Sequence, residues 1–387
     1  MQPTGVLEHA KATNPLKALL DYGQSMWLDY IRRDLITTGK LRSMIEDDGL
    51  RGMTSNPSIF EKAIAESSLY DDILKSLASR HDLDTTARYE QIAIRDIQGA
   101  ADILRSVYDS SKYRDGYVSL EVSPLLANKT KETVDEARRL WKTVARENVM
   151  IKVPGTPEGL PAIRQLIGEG ININVTLLFA QEVYEQVAEQ YISGVEDLAR
   201  RGGNLKKMAG VASFFISRID TMVDGLIQQK LKSAHGAQEE SQLKSLLGKV
   251  AIANGKLAYQ RYLGIFNAPR WQSLAAQGAQ TQRVLWASTS TKNPAYRDVM
   301  YVEELIGPDT VNTMPPATVD AFRDHGQLRK TLTEDIPAAQ KIMDDLARAG
   351  ISIKEVTDKL TVEGVKLFAD AFHKLLSAVE QSTTKKA

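Results

Sequence analysis

Cysteine is absent from the 387 residues, which excludes disulfides, thiolate metal sites and a cysteine nucleophile. Histidine occurs only five times, and no two are placed as a close metal-ligand pair such as H-x-x-x-H. Neither sign of charge is in excess, with 49 basic against 49 acidic residues. The total therefore asks for neither nucleic acid nor an anionic membrane as partner. No run has the length and apolarity of a membrane-spanning helix, and Met1 to Leu20 contains no apolar core like that of a secretion signal. A cytoplasmic protein is expected. What remains is a chemistry built on Lys, Asp, Glu, Ser and Thr, with no cofactor and no metal.

Short β-favouring runs alternate with helical patterns through the chain. The runs are Ser25 to Ile31, Leu50 to Asn56, Tyr117 to Val122, Val149 to Val153, Ile173 to Phe179, Ala209 to Ile216, Arg283 to Thr289 and Thr310 to Met314. Between them lie helical stripes, the clearest being Val183, Tyr184, Val187, Ala188, Tyr191, Ile192 and Val195. Such alternation implies parallel strands with crossover helices, and eight units fit a closed (β/α)8 TIM barrel of the α/β class. No G-x-G-x-x-G follows the first strand, which weakens an open dinucleotide-binding sheet.

The whole chain, 1–387, is expected to form a single barrel domain with helical insertions near 57–111 and 221–280. After the eighth strand, Val365, Phe368, Phe372, Leu375, Leu376 and Val379 form an apolar stripe. It predicts a C-terminal helix whose stripe is core packing against the barrel, followed by the polar tail Gln381 to Ala387.

In such a barrel, chemistry belongs at the C-terminal strand ends. The fourth run carries Lys152 just before Pro154-Gly155. Alternation sends Lys152 to one face of the strand and Ile151 and Val153 to the other. Burial there would favour an uncharged amine able to attack a carbonyl, so Lys152 is a candidate Schiff-base nucleophile. A carbinolamine needs an acid to expel water and a base to move protons at carbon, roles that suit Asp29 and Glu121. Asn174 and Thr176 on the fifth run suit a water or substrate hydroxyls. Arg218, with Ser288, Ser290 and Lys292 after the seventh run, suggests a phosphate site. Each position also has a plainer reading. Asn56 before Pro57 reads as a helix cap, and Arg218 as an ion-pair partner of Asp220 or Asp224.

With those residues in place the chain resembles the transaldolases, from about Trp27 to Pro316. The resemblance is carried by Gly52-Met-Thr-Ser-Asn-Pro-Ser-Ile-Phe60, Val118-Ser-Leu-Glu-Val122, Val149-Met-Ile-Lys-Val-Pro-Gly-Thr156, Ile173-Asn-Val-Thr-Leu-Leu-Phe179 and Trp286-Ala-Ser-Thr-Ser-Thr-Lys-Asn-Pro294. It implies a class I enzyme that moves a dihydroxyacetone unit between sugar phosphates through a lysine Schiff base, in the non-oxidative pentose phosphate pathway. The length and second insertion resemble the longer bacterial subgroup.

By that resemblance Lys152 is the Schiff-base lysine, Asp29 the general acid/base, and Glu121 with Thr176 the holders of a catalytic water. Asn56, Asn174 and Ser213 match substrate contacts and Arg218 a phosphate ligand. One departure stands out. Many members of the family have Ser-x-Arg after the seventh strand, where this chain has Ser288-Thr289-Ser290, so Lys292 is the substitute expected on phosphate.

Two other functions compete with transfer. One is an aldolase of the fructose 6-phosphate type, which releases dihydroxyacetone; the resemblance implies Gln and Tyr in such aldolases where this chain has Glu121 and Phe215. The other is a non-catalytic sugar-phosphate-binding barrel. Monomer and homodimer both remain open.

Overall fold

The computed structural model describes residues 14–384. The termini beyond them, including the last three residues of the predicted polar tail, lie outside the described residues.

Eight parallel strands close into one barrel in sequence order. They are β1 (Gln24–Asp29), β2 (Gly52–Thr54), β3 (Tyr117–Glu121), β4 (Val149–Pro154), β5 (Ile173–Leu178), β6 (Gly210–Phe215), β7 (Arg283–Ala287) and β8 (Thr310–Met314). Each falls where the sequence predicts a strand. Their ends differ for local reasons. β2 stops at Thr54 because Asn56 already caps the helix Pro57–Ala65, with Pro57 in its first turn. β7 stops at Ala287 because Ser288 takes a left-handed backbone, φ 56°, which breaks the ladder.

Strand β2 begins at a glycine for a steric reason. A Cβ on Gly52 would lie 2.5 Å from the Trp27 ring, so only glycine lets the indole of β1 fill the barrel there. At the end of the barrel away from the strand C-termini, Arg283 donates to Asp115 (2.8 Å) and Ser25 (2.8 Å), and Trp27 Nε1 donates to Asp115 (3.2 Å). This buried charge pair has its hydrogen bonds satisfied, as burial demands.

Register decides which residues share a level. Asp29 of β1 pairs with Thr54 of β2. On the other side Glu121, Lys152 and Asn174 are successive register partners across β3, β4 and β5. All six residues of β4 are buried, so Lys152 is inside protein on both faces of its strand.

Helices at Pro57–Ala65, Asp71–Ala78 and Thr85–Ser110 lie between β2 and β3. Four more, from Ser217–Leu231 to Pro269–Ala275, lie between β6 and β7. The C-terminal helix, Ile353–Thr384, packs along Pro57–Ala65 and reaches the end of β5. Its Phe372, Leu375 and Val379 are buried, each worth on the order of 2 kcal/mol. No helix among the described residues is long and apolar enough to cross a membrane.

Candidate active site

A cavity of about 430 Å³ opens at the C-terminal ends of the strands. Asp29, Asn56, Lys152, Thr176, Ser213, Arg218, Ser288, Ser290 and Lys292, all singled out from sequence, line it. Glu121 and Asn174 stand just behind that lining.

Lys152 is 5% exposed and donates to the carbonyl of Ser55 at 3.0 Å. Its Nζ lies 3.5 Å from Glu121 Oε2, close for a charge pair and long for a hydrogen bond. Consistent with that length, Oε2 has no hydrogen-bond partner. Burial pushes the Glu121 carboxyl above its ordinary range; Lys152 pulls it back and Asp29 adds to the rise. Thr176 Oγ1 is likewise buried and without a partner. Two buried oxygens, one of them ion-paired to the amine, thus have hydrogen-bonding capacity for a third group.

Asp29 faces Lys152 from the opposite side. Burial raises its pKa, against the charge of Lys152 and a 2.7 Å hydrogen bond from Thr54 Oγ1. The Thr54 hydroxyl in turn lies 2.8 Å from that of Thr313, so the carboxylate end is fixed by a chain of two hydroxyls. Ser213 donates to Asn174 Oδ1 at 2.7 Å, and Asn174 Nδ2 donates to Ser119 at 3.0 Å. That chain orients the amide beneath the floor of the cavity.

Cations gather at the other rim. Burial lowers the pKa of Arg218, and burial followed by the charge of Arg218 lowers that of Lys292. Two cations held within range of each other favour an anion between or beside them. Lys292 donates to Ser290 Oγ at 2.6 Å, and Ser288 shares a 3.0 Å hydrogen bond with Ser217.

The plainer readings resolve differently at two positions. Asn56 does cap its helix, accepting from Ile59 N at 3.1 Å, and still lines the cavity. Asp220 and Asp224 are engaged away from Arg218: Asp220 accepts from Ala251 N and Tyr301, Asp224 from Gly248 N and Tyr296. Residues two apart on a helix point to different sides, which separates Arg218 from Asp220.

Sequence reasoning missed Lys62 as a lining residue. The signal was there, since Ser58 and Lys62 stand one helical turn apart after the Asn56 cap. Phe368, read as part of a core stripe, does pack against the core, and its half-buried ring also lines the cavity beside Leu367. A helical period alone cannot tell a core from a barrel mouth.

The comparisons with known proteins agree along the chain. A family model described as Transaldolase/Fructose-6-phosphate aldolase matches residues 26–379. A protein named Transaldolase from Trichodesmium erythraeum is 48% identical over 377 residues, covering 96% of this chain and 98% of that protein. Transaldolase 2 of Nostoc punctiforme is 48% identical over 372 residues, covering 95% of this chain and 97% of that protein. Transaldolase of Thiobacillus denitrificans is 46% identical over 366 residues, covering 95% and 99%.

Proposed function

The chain belongs to the transaldolase/fructose-6-phosphate aldolase family and works as a transaldolase, and from that premise we propose how its own residues divide the transfer of a dihydroxyacetone unit between sugar phosphates. The Lys152 amine adds to the ketose carbonyl, and loss of water from the carbinolamine gives an imine. Glu121 and Thr176, whose buried Oε2 and Oγ1 lack a hydrogen-bond partner, hold the water that accepts and returns protons in that step. Asp29 takes the proton of the C4 hydroxyl as the C3–C4 bond breaks. The aldose phosphate leaves, and the electron pair stays on the three-carbon fragment as an enamine of Lys152. Addition to a second aldehyde, with Asp29 returning the proton, and hydrolysis of the new imine complete the exchange.

Asn56, Asn174 and Ser213 orient substrate hydroxyls. Arg218, Lys292, Ser288 and Ser290 take the phosphate, with Lys292 replacing an arginine as a point charge. Sedoheptulose 7-phosphate and fructose 6-phosphate are the donors this reading assigns, with glyceraldehyde 3-phosphate and erythrose 4-phosphate as acceptors. Sugar phosphates are too highly charged to cross a bilayer unaided, so the same reading puts the enzyme in the cytoplasm.

The observation that carries this proposal is Lys152, an amine 5% exposed at a barrel mouth with a carboxylate 3.5 Å away. Borohydride reduction in the presence of fructose 6-phosphate, followed by peptide mass analysis, tests it. A reduced three-carbon or six-carbon adduct on Lys152 is expected. An unmodified Lys152, or an adduct on another lysine, would refute it. Phe215, which lines the cavity beside Phe179 and Arg218, offers no hydroxyl there, in keeping with transfer over release.

A further inference from the structure

A transferase that stores an enamine must keep it from water until the acceptor aldehyde arrives. Protonation of the enamine carbon, by a proton that Asp29 returns, gives an imine. Addition of one water to that imine then releases free dihydroxyacetone and the Lys152 amine. How long the enamine survives therefore depends on what covers it.

The cover is the C-terminal helix, and three residues fix its height. Strand β5 carries a bulge, with its register to β6 shifting between Val175 and Leu178. Inside the bulge Leu177 adopts a left-handed backbone, φ 62°. For a leucine this conformation is strained, and bulges re-aim the side chains they carry. Leu177 is thereby turned toward the C-terminal helix, where it meets Gly364. A Cβ on Gly364 would lie 2.9 Å from Leu177 Cδ2, and Leu177, 2% exposed, has little room to withdraw. Glycine is a poorer helix former than alanine, so its place here is accounted for by the close approach.

One turn further along the same face stands Phe368. Its ring centre is 5.9 Å from Lys152 Nζ, and with Leu367 it lines the cavity from above.

The geometry points to Phe368 as the water-excluding roof over the Lys152 intermediate, with Leu177 and Gly364 as positioning residues that seat it. The roof favours transfer over release. This inference rests on the transaldolase reading given above.

The experiment compares wild type with Phe368→Ala, Phe368→Leu and Gly364→Val in the full chain. Fructose 6-phosphate is supplied with and without erythrose 4-phosphate, and the ratio of dihydroxyacetone released to dihydroxyacetone transferred is measured. Phe368→Ala is expected to raise that ratio about tenfold, and Phe368→Leu to restore most of it. Gly364→Val is expected to act in the same direction although it touches no substrate. An unchanged ratio in Phe368→Ala, with both rates falling together, would overturn the roof, and if Gly364→Val fails to fold the two Phe368 variants decide. Borohydride trapping on wild type separates the levels. An adduct on Lys152 with an unchanged ratio sinks this inference alone, whereas no adduct sinks the reading beneath it.

Discussion

Lys152 Nζ stands 3.5 Å from Glu121 Oε2, with each side chain 6% exposed. The pair arises from register, because these two residues are direct partners across β3 and β4. Neighbouring strands of a parallel sheet bring side chains of equal level within reach, so the barrel itself sets the spacing of amine and acid. Removing either partner then tests a separate role. Lys152→Arg keeps a cation beside Glu121 but cannot form an imine, and activity should fall at least about 1,000-fold with folding retained. Glu121→Gln keeps the shape and removes the carboxylate proposed to hold the water, so transfer should slow while cleavage with release of dihydroxyacetone persists, since the resemblance gives the fructose 6-phosphate aldolases a glutamine there. Steady-state kinetics with circular dichroism on both variants check this, and substantial turnover by Lys152→Arg would exclude the mechanism.

The acid side of the pH profile should report Asp29. Burial raises its pKa, while Lys152 and the Thr54 hydroxyl stabilise the carboxylate. With Asp29 as the proposed base in cleavage, kcat/KM should fall with decreasing pH at a point above the ordinary aspartate range. Thr54→Val removes a 2.7 Å hydrogen bond to the charged form. The pKa must rise further, moving the acid limb up by roughly 1 pH unit. It also leaves the Thr313 hydroxyl without that partner, at a cost of about 1 kcal/mol. A profile that stays in place in Thr54→Val would remove Asp29 from the role of base.

The proposed phosphate site divides unequally between the two rim cations. Arg218 offers a planar fork that matches two phosphate oxygens, whereas Lys292 offers a point charge already bonded to Ser290. Arg218→Ala should raise KM for sugar phosphates about 100-fold, and Lys292→Met about 10-fold. Neither should change KM for unphosphorylated dihydroxyacetone as donor. If Lys292→Met leaves every KM unchanged, the lysine is not on the phosphate.

The level of legibility follows from how local each signal is. All eight strands could be read because each is a β-favouring run bounded by turn residues, and the chemistry at their ends could be read because polar side chains interrupt those runs. The end of β2 was overrun because Ser55-Asn56 continues the run in composition while serving the next helix. The left-handed backbone of Leu177 has no sequence mark at all, since leucine gives no hint of positive φ. Phe368 packs against the core as its stripe predicts, but a helical stripe gives no sign that the same ring also lines the cavity. Arg218 with Asp220 looked like a pair along the sequence, but the helix turns them apart.

Asp220 yields the last prediction, one about stability. It is 1% exposed, and burial pushes its carboxyl up to about 7, against hydrogen bonds from Ala251 N (2.7 Å) and Tyr301 (2.9 Å). Asp224, itself raised by burial, adds to the rise. The folded state thus binds a proton that the unfolded chain gives up near the ordinary value of 3.8. By linkage, the contribution to stability is full below that value and is lost as pH climbs through about 7. The loss across that window is on the order of 4 kcal/mol. Asp220→Asn carries no such proton. Its carbonyl can accept from Ala251 N, and the Tyr301 hydroxyl can turn to accept from the amide. The variant should therefore melt at or below the wild-type temperature at pH 5 and above it at pH 8. Thermal melts across that range decide the matter, and two parallel curves would mean that the Asp220 carboxylate is stabilised in the fold by something other than the groups that touch it.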